Sequence, residues 1–250
     1  MRALQTSALL GLLALGGCLE LEQTIVISAD GSGRQRVRLE TDEQMLRELQ
    51  RRQPAAQLGA GDPTALFSEE KTRAELRAAG MELTEHAASR AAGRRSVELS
   101  ASFADFEVLR RSPLCGSAAE WELVAGPKPG LAKLTLYPQG KAAWQQARKK
   151  AADLKGRPDP LLVDYFAKQR AKLRGLDVAF RFEVPGDVLM WTKNMEKVSA
   201  REVVARVRAD QLRNPADLVR RLAPRYEVIF DARATSLFKE PSPARPAPVR

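Results

Sequence analysis

Hydrophobic and polar residues alternate in several short segments of this chain, and this two-residue period predicts β-strands. The segment Leu19–Ile27 is apolar and rich in β-branched residues, residues 30–33 (Asp-Gly-Ser-Gly) follow it, and alternation resumes over residues 36–39. Two such segments around a glycine-containing turn predict a β-hairpin. The same period predicts one further strand that begins at Met81. It also predicts strands over residues 97–103, 121–125, 132–136, 176–184, 203–209 and 226–230.

Other segments have the apolar spacing of helices. Ser68 opens one helix that Gly80 ends, and Asn214 opens a short helix that runs through Leu222. The longest helical stretch is predicted over residues 141–173, with an interruption near residues 156–158. Residues 87–94, rich in Ala, Arg and Gly, predict a turn, and the Pro-rich segment 236–250 predicts a disordered tail.

These elements predict an α+β fold: a mostly antiparallel β-sheet with helices packed on one face and a long helical insertion. We expect one domain over residues 18–235, with the insertion at about residues 140–174. Residues 1–17 have a separate role as a signal peptide.

The first eighteen residues have the organisation of a bacterial lipoprotein signal. Arg2 precedes an apolar segment of residues 8–15, and Leu15-Gly16-Gly17-Cys18 resembles the lipobox in which small residues precede the lipid-modified cysteine. The segment is shorter than the ~20 residues of a membrane-spanning helix, and its length suits a signal peptide. We expect acyl chains such as palmitate on Cys18, with ordinary secretion as the alternative. Leu19, in place of Asp, favours the outer over the inner membrane.

The chain is globular in composition and basic, with 44% hydrophobic residues, 29% charged residues and a formal net charge of +10. Such an excess favours anionic lipid, glycolipid or cell-wall polymer as a partner, and export argues against nucleic acid. The alternative is a well-solvated surface without a ligand. The densest basic segment supplies the residues for a possible anionic-surface contact: Arg148, Lys149, Lys150, Lys168, Arg170, Lys172 and Arg174. A solvated face of a packed helix explains the same pattern.

Reactive residues are sparse. With Cys18 lipidated, Cys115 is the single remaining thiol, and a buried cysteine is expected there rather than a nucleophile. His86 is the single histidine, so a metal site or a Ser/His/Asp set is not predicted. Trp191 is expected in the core or at its rim, with an exposed ligand-binding or membrane-binding loop as the alternative. The sequence predicts no catalytic residues, metal or cofactor.

Three segments together resemble the LppM-like domain family of bacterial lipoproteins. In the first, Cys18 leads into a strand that is followed by the segment 27–33 with its Asp-Gly-Ser-Gly turn. In the second, residues 180–188, a strand ends at Pro185-Gly186, shortly before Val188. The third is the strand predicted over residues 226–230. The resemblance implies an envelope domain that handles lipids or glycolipids, without catalytic residues. The sequence therefore predicts a membrane-anchored envelope lipoprotein with a non-enzymatic binding or structural role. The alternatives are a lipid or glycolipid carrier with an apolar groove and an envelope enzyme.

Overall fold

The computed structural model describes residues 19–44, 46–47, 64–154, 163–164, 166–168, 170 and 175–238. The signal peptide, Cys18, Lys172, Arg174, the interruption at residues 156–158 and most of the Pro-rich tail lie outside the described residues. In chain order, the strands and α-helices of the described part are β1 (Leu19–Ile27), β2 (Gly33–Asp42), α1 (Glu69–Ala78), β3 (Glu82–Ala91), β4 (Arg94–Phe103), α2 (Phe106–Arg110), β5 (Glu120–Ala125), β6 (Leu131–Tyr137), α3 (Lys141–Asp153), β7 (Leu176–Glu183), β8 (Val188–Trp191), β9 (Glu196–Lys197), β10 (Glu202–Arg208), α4 (Pro215–Leu222) and β11 (Tyr226–Asp231).

Seven strands form the larger sheet, in the order β3-β4-β2-β1-β7-β10-β9. The predicted hairpin is confirmed, because β1 and β2 pair antiparallel from Leu19 opposite Thr41 to Ile27 opposite Gly33. β1 pairs with β7 in parallel, and the other neighbours in this sheet are antiparallel. The first strand of the chain therefore lies in the middle of the sheet.

Four strands form a second, antiparallel sheet in the order β5-β6-β11-β8. β5 and β6, which correspond to the strands predicted at residues 121–125 and 132–136, pair as an antiparallel hairpin. β8 was not predicted as a strand; it pairs with β11 at the edge of this sheet. The prediction of an α+β fold dominated by antiparallel strands is confirmed.

Aromatic side chains of the two sheets meet in a shared core. Phe182 of β7 lies 6.2 Å from the ring of Trp121 and 6.1 Å from that of Tyr226, measured between ring centroids. Phe180 lies 5.4 Å from Tyr226. Alternation along each strand directs one set of side chains to this interface and the other set to solvent. Burial of apolar area between the sheets therefore provides the main stabilisation.

α1 begins and ends as its sequence predicts, and the helical stretch predicted from residue 141 is a helix as far as Asp153. Ser68 Oγ accepts a hydrogen bond from the Lys71 N–H at the start of α1, and Gly80 adopts φ +84° after its end. α1 contacts β3, α2 contacts β4 and β5, and α3 contacts α4. In the described part of the chain, no helix combines the length and apolar composition that a membrane crossing requires.

The turn predicted over residues 87–94 is wrong for most of that range. β3 continues to Ala91 and pairs with β4 throughout, and the turn is confined to residues 92–93. Ala, Ser and Arg have low strand preference, but pairing with a neighbouring strand outweighs that preference at a sheet edge. Gly93 adopts φ +77° and Ala92 φ +49°, the left-handed backbone that the tight turn requires.

We expect Gly186→Ala to lower the free energy of unfolding by about 1–3 kcal/mol, the usual cost of overpacking. A Cβ at residue 186 would overlap the backbone oxygen of Asp231, where the chain passes from β7 to β8. Gly93→Ala is the control, because open space surrounds that position and only the left-handed backbone opposes a side chain, at about 1–2 kcal/mol. Urea denaturation measures both. If Gly186→Ala proves harmless, the close approach of Gly186 to the backbone of Asp231 is contradicted.

Candidate functional site: a basic cleft beside an aromatic side chain

A cleft of 570 Å³ is lined by residues of α3, of α4 and of the segments 192–194 and 223–225. Five of the lining side chains are cations, and one, Asp217, is a carboxylate. We call it the basic cleft and define it by Trp144, Arg148, Lys193, Arg220, Arg221 and Arg225. A concave surface with this excess of positive charge attracts anionic groups.

Local contacts fix the helix that supplies two of these arginines. Asn214 Oδ1 accepts a hydrogen bond from the Asp217 N–H at 2.9 Å, and Pro215 occupies the first turn of α4. Arg221 donates a hydrogen bond to the backbone oxygen of Arg206 at 3.3 Å. α4 therefore lies beside the part of β10 that β9 does not pair.

Trp144 forms an aromatic surface within the cleft. The guanidinium carbon of Arg225 lies 4.9 Å from its ring centroid, and that of Arg148 lies 5.8 Å away. Tyr137 packs against the same ring at 5.6 Å. Cations over an aromatic ring are held by the ring's quadrupole, which leaves their N–H groups available to an anion.

The cations of the cleft differ in how far carboxylates neutralise them. Arg225 pairs with Glu227 at 3.6 Å, and Arg220 lies 3.9 Å from Asp217. Among the described residues, Arg148, Lys193 and Arg221 have no carboxylate within ion-pair distance, and Arg221 donates instead to a backbone oxygen. These three side chains therefore provide the unneutralised positive charge of the site.

The predicted basic segment contributes one residue to this cleft. Arg148 lines it, whereas Lys149 and Lys150 are exposed on the same helix outside it. Lys168 pairs with Asp164 at 2.7 Å, and Arg170 lines a separate cleft with Glu20, Asp177 and Asp210. Lys172 and Arg174 lie outside the described residues. The other four cations of the cleft were missed because they come from distant segments whose charge is ordinary on its own.

A second cleft, of 430 Å³, lies on the solvent face of the larger sheet and shares Lys193 and Arg221 with the basic cleft, but most of its other charges are paired. Arg181 donates hydrogen bonds to Glu202 at 2.6 Å and to Glu22 at 3.4 Å, and Arg206 donates to Asp177 at 2.7 Å. The hydrogen bond to Glu202 raises the pKa of Arg181. Neighbouring strands thus neutralise each other, and this face offers an anion less attraction than the basic cleft.

Cys115 belongs to a buried polar network. Gln35 Nε2 donates to Cys115 Sγ at 3.1 Å, Ser112 Oγ donates to Gln35 Oε1 at 2.6 Å, and Gln23 Nε2 donates to the Leu114 oxygen at 2.9 Å. The network joins the loop around Cys115 to β1 and β2. Burial raises the pKa of the thiol from 9.0 to about 12. The expectation of a buried cysteine is confirmed, and near neutral pH the group is a thiol, not a nucleophilic thiolate.

We expect Cys115 to resist thiol reagents at pH 8 until the protein unfolds. Because the folded pKa is raised, the folded state holds the thiol proton above pH 9.0, where the unfolded state releases it. The thiol's contribution to stability is complete below pH 9.0 and is lost as pH rises towards about 12. Urea denaturation measures the free energy of unfolding of wild type and of Cys115→Ala at each pH. As pH rises over this range, that free energy should fall more for wild type than for Cys115→Ala. Rapid labelling of the native protein would contradict the burial.

His86 and Trp191 were the other residues considered for a functional role. His86 Nε2 lies 2.9 Å from the Leu66 oxygen. In the described part of the chain, no group of three or more His, Cys, Asp or Glu side chains is arranged to hold a metal ion. Trp191 does not lie in the core: it is 39% exposed beneath Lys197, whose Nζ lies 5.9 Å from the ring centroid, and the neighbouring Met190 is 60% exposed. Met195 is buried.

Comparison with known proteins gives a distant structural likeness. No family model matches the chain, and no curated protein matches it. The NMR structure of the folded domain of LppM from Mycobacterium tuberculosis is similar, with a TM-score of 0.41 and 12% sequence identity over 87% of this chain and 91% of that chain.

Proposed function

We propose that this protein is a membrane-anchored bacterial envelope lipoprotein whose basic cleft binds the anionic headgroups of lipids, without catalysis. The observation that carries the proposal is the cleft's excess of five cations over one carboxylate around Trp144. Three of those cations, Arg148, Lys193 and Arg221, have no ion-pair partner among the described residues. An anionic headgroup would supply the missing negative charge.

The position of the cleft supports a lipid headgroup as the ligand. Arg221 donates a hydrogen bond to the backbone oxygen of Arg206 in β10. Arg206 lies opposite Ala179 of β7, and Ala179 lies opposite Glu22 of β1. Glu22 is three residues from the start of β1, which is about 10 Å along a strand. The cleft therefore lies beside the half of the sheet nearest to Cys18, where an anchored protein meets headgroups first.

The non-enzymatic role rests on the reactive residues. The Cys115 thiol is buried and stays protonated near neutral pH, and the His86 ring nitrogen contacts a backbone oxygen. A carrier function would require an apolar groove, but at least half of the residues that line each cleft described above are charged. We therefore favour binding at the membrane surface over extraction of whole lipids.

The anchor is tested by the mass of the N-terminal peptide from protein made in a bacterial host that processes lipoproteins. We expect the chain to begin at Cys18, to carry acyl chains and to fractionate with membranes. Cys18→Ser should abolish acylation, and with it the membrane fractionation that survives a high-salt wash. An unmodified wild-type peptide would overturn the anchor.

The headgroup ligand is tested with the chain from residue 18 onward, made without the signal peptide and with Cys18→Ser. Acyl chains then contribute nothing to binding. We expect this chain to float with vesicles of phosphatidylcholine mixed equally with phosphatidylglycerol, and not with phosphatidylcholine alone. Because salt screens charges over about 10 Å at 0.1 M, binding should weaken as salt rises. Equal flotation with both vesicles, or with neither, would overturn the anionic-headgroup ligand.

A further inference from the structure

The folded sheet begins immediately after the predicted lipid attachment site. Leu19 follows Cys18 in sequence, lies within β1 and is 3% exposed. Its N–H donates to the Gly175 oxygen at 3.2 Å, and it pairs with Thr41 on one side and Leu176 on the other. No linker therefore separates Cys18 from the middle of the larger sheet.

This connection restricts where the domain can lie once Cys18 carries acyl chains. Successive Cα atoms are about 3.8 Å apart, so Cys18 is within one residue of the sheet. Acyl chains on its sulfur must enter the bilayer, and the sheet cannot move away from them as it could on a flexible linker. The end of the sheet that contains Leu19 must then remain at the bilayer surface.

We propose that this end of the larger sheet rests against the headgroup layer and holds the domain in one orientation on the membrane. We call it the anchor end and define it by Leu19, Thr41, Ala91, Leu176 and Arg208, which the strand registers place at the same end of the sheet. The inference rests on the lipid anchor of the proposed function and is independent of the basic cleft.

Covalent geometry, not charge, sets this orientation. Three described arginines of the anchor end are paired with carboxylates: Arg94 lies 3.1 Å from Glu40, Arg90 pairs with Glu43, and Arg208 lies 2.9 Å from Asp210. A fourth, Arg95, lies over the Phe67 ring, 4.3 Å from its centroid. Paired charges add little attraction for anionic lipid. The same orientation is therefore expected on neutral and on anionic membranes.

The opposite end of the sheet provides a reference position. The turn over residues 28–32 joins β1 to β2, with the Ser28 N–H bonded to the Ser32 oxygen at 2.8 Å. Nine residues of β1 place this turn about 30 Å from the anchor end, at ~3.3 Å per residue. Ala91 at the anchor end and Ala29 at the turn are both exposed, which makes them a matched pair for labelling.

The experiment uses the full acylated protein in vesicles, with Cys115→Ser and a fluorophore on either Ala91→Cys or Ala29→Cys. A nitroxide on the lipid headgroup should quench the label at residue 91 several-fold more strongly than the label at residue 29. The difference should persist in vesicles of phosphatidylcholine alone. A flexible Gly/Ser linker of about ten residues between Cys18 and Leu19, with a mean span of about 17 Å, should largely remove it.

The outcomes separate this inference from the anchor itself. Acylated protein with equal quenching at residues 29 and 91 overturns the fixed orientation and leaves the anchor intact. A difference that the linker does not reduce also overturns it, because charge or shape would then orient the domain. Protein without acyl chains on Cys18 overturns the anchor and this inference together.

Discussion

Replacing both Arg148 and Lys193 by glutamine is expected to weaken binding of the Cys18→Ser chain to phosphatidylglycerol-containing vesicles by about 30-fold. A basic residue near an anionic surface contributes about 1 kcal/mol, and two such residues contribute about 2 kcal/mol. At about 1.4 kcal/mol for each factor of ten, this loss corresponds to roughly 30-fold. These two residues are the most informative because no carboxylate among the described residues pairs with either, and neither donates to the backbone as Arg221 does.

The chain provides a matched control on the same helix. Lys149→Gln with Lys150→Gln also removes two charges, but both side chains are exposed outside the basic cleft. We expect this variant to lose no more than about threefold, the effect of a small change in the surrounding potential. If both double variants lose the same affinity, binding depends on overall charge and the basic cleft is not the site.

Phe182→Ala is expected to lower the free energy of unfolding by about 3–5 kcal/mol, the usual cost of removing a buried aromatic ring. Phe182 is 1% exposed and contacts Trp121 and Tyr226, both of which belong to the smaller sheet. The substitution therefore leaves a cavity between the two sheets. Because a stable domain has a free energy of unfolding of only about 5–15 kcal/mol, this variant should be close to unfolding.

Urea denaturation with two spectroscopic probes measures that loss. Leu189→Ala is the control, since Leu189 is 51% exposed on β8 and its truncation should change stability by no more than about 0.5 kcal/mol. The two probes should report one transition, because both sheets share the core. A loss below about 1 kcal/mol for Phe182→Ala would contradict the packing of the two sheets against each other.

Local sequence patterns predicted most strands of the fold. The hairpin of β1 and β2 could be predicted because alternation sets both strands and the turn over residues 30–33 sets their connection. Partners that are distant in sequence could not be predicted, such as the parallel pairing of Leu19 with Leu176. The division into two sheets was missed for the same reason, since alternation specifies a buried face and not what packs on it.

The candidate site depended even more on tertiary structure. The sequence predicted a basic segment, and from it only Arg148 lines the cleft. Lys193 lies after a strand that the pattern did not predict, and Arg225 lies in a connection between α4 and β11. Their common surface exists only because α3 packs against α4 beside Trp144. Cys18, in contrast, is predicted as a lipid-attachment site from sequence alone, because the lipobox pattern is local and needs no fold.

The most direct test of the central claim is a chemical-shift map of the Cys18→Ser chain titrated with a short-chain phosphatidylglycerol below its micelle concentration. We predict that the largest backbone shifts occur at residues 147–148, 192–194 and 220–225, and that short-chain phosphatidylcholine does not produce them. Shifts centred on the paired charges of the larger sheet, or equal shifts with both lipids, would contradict binding of anionic headgroups in the basic cleft.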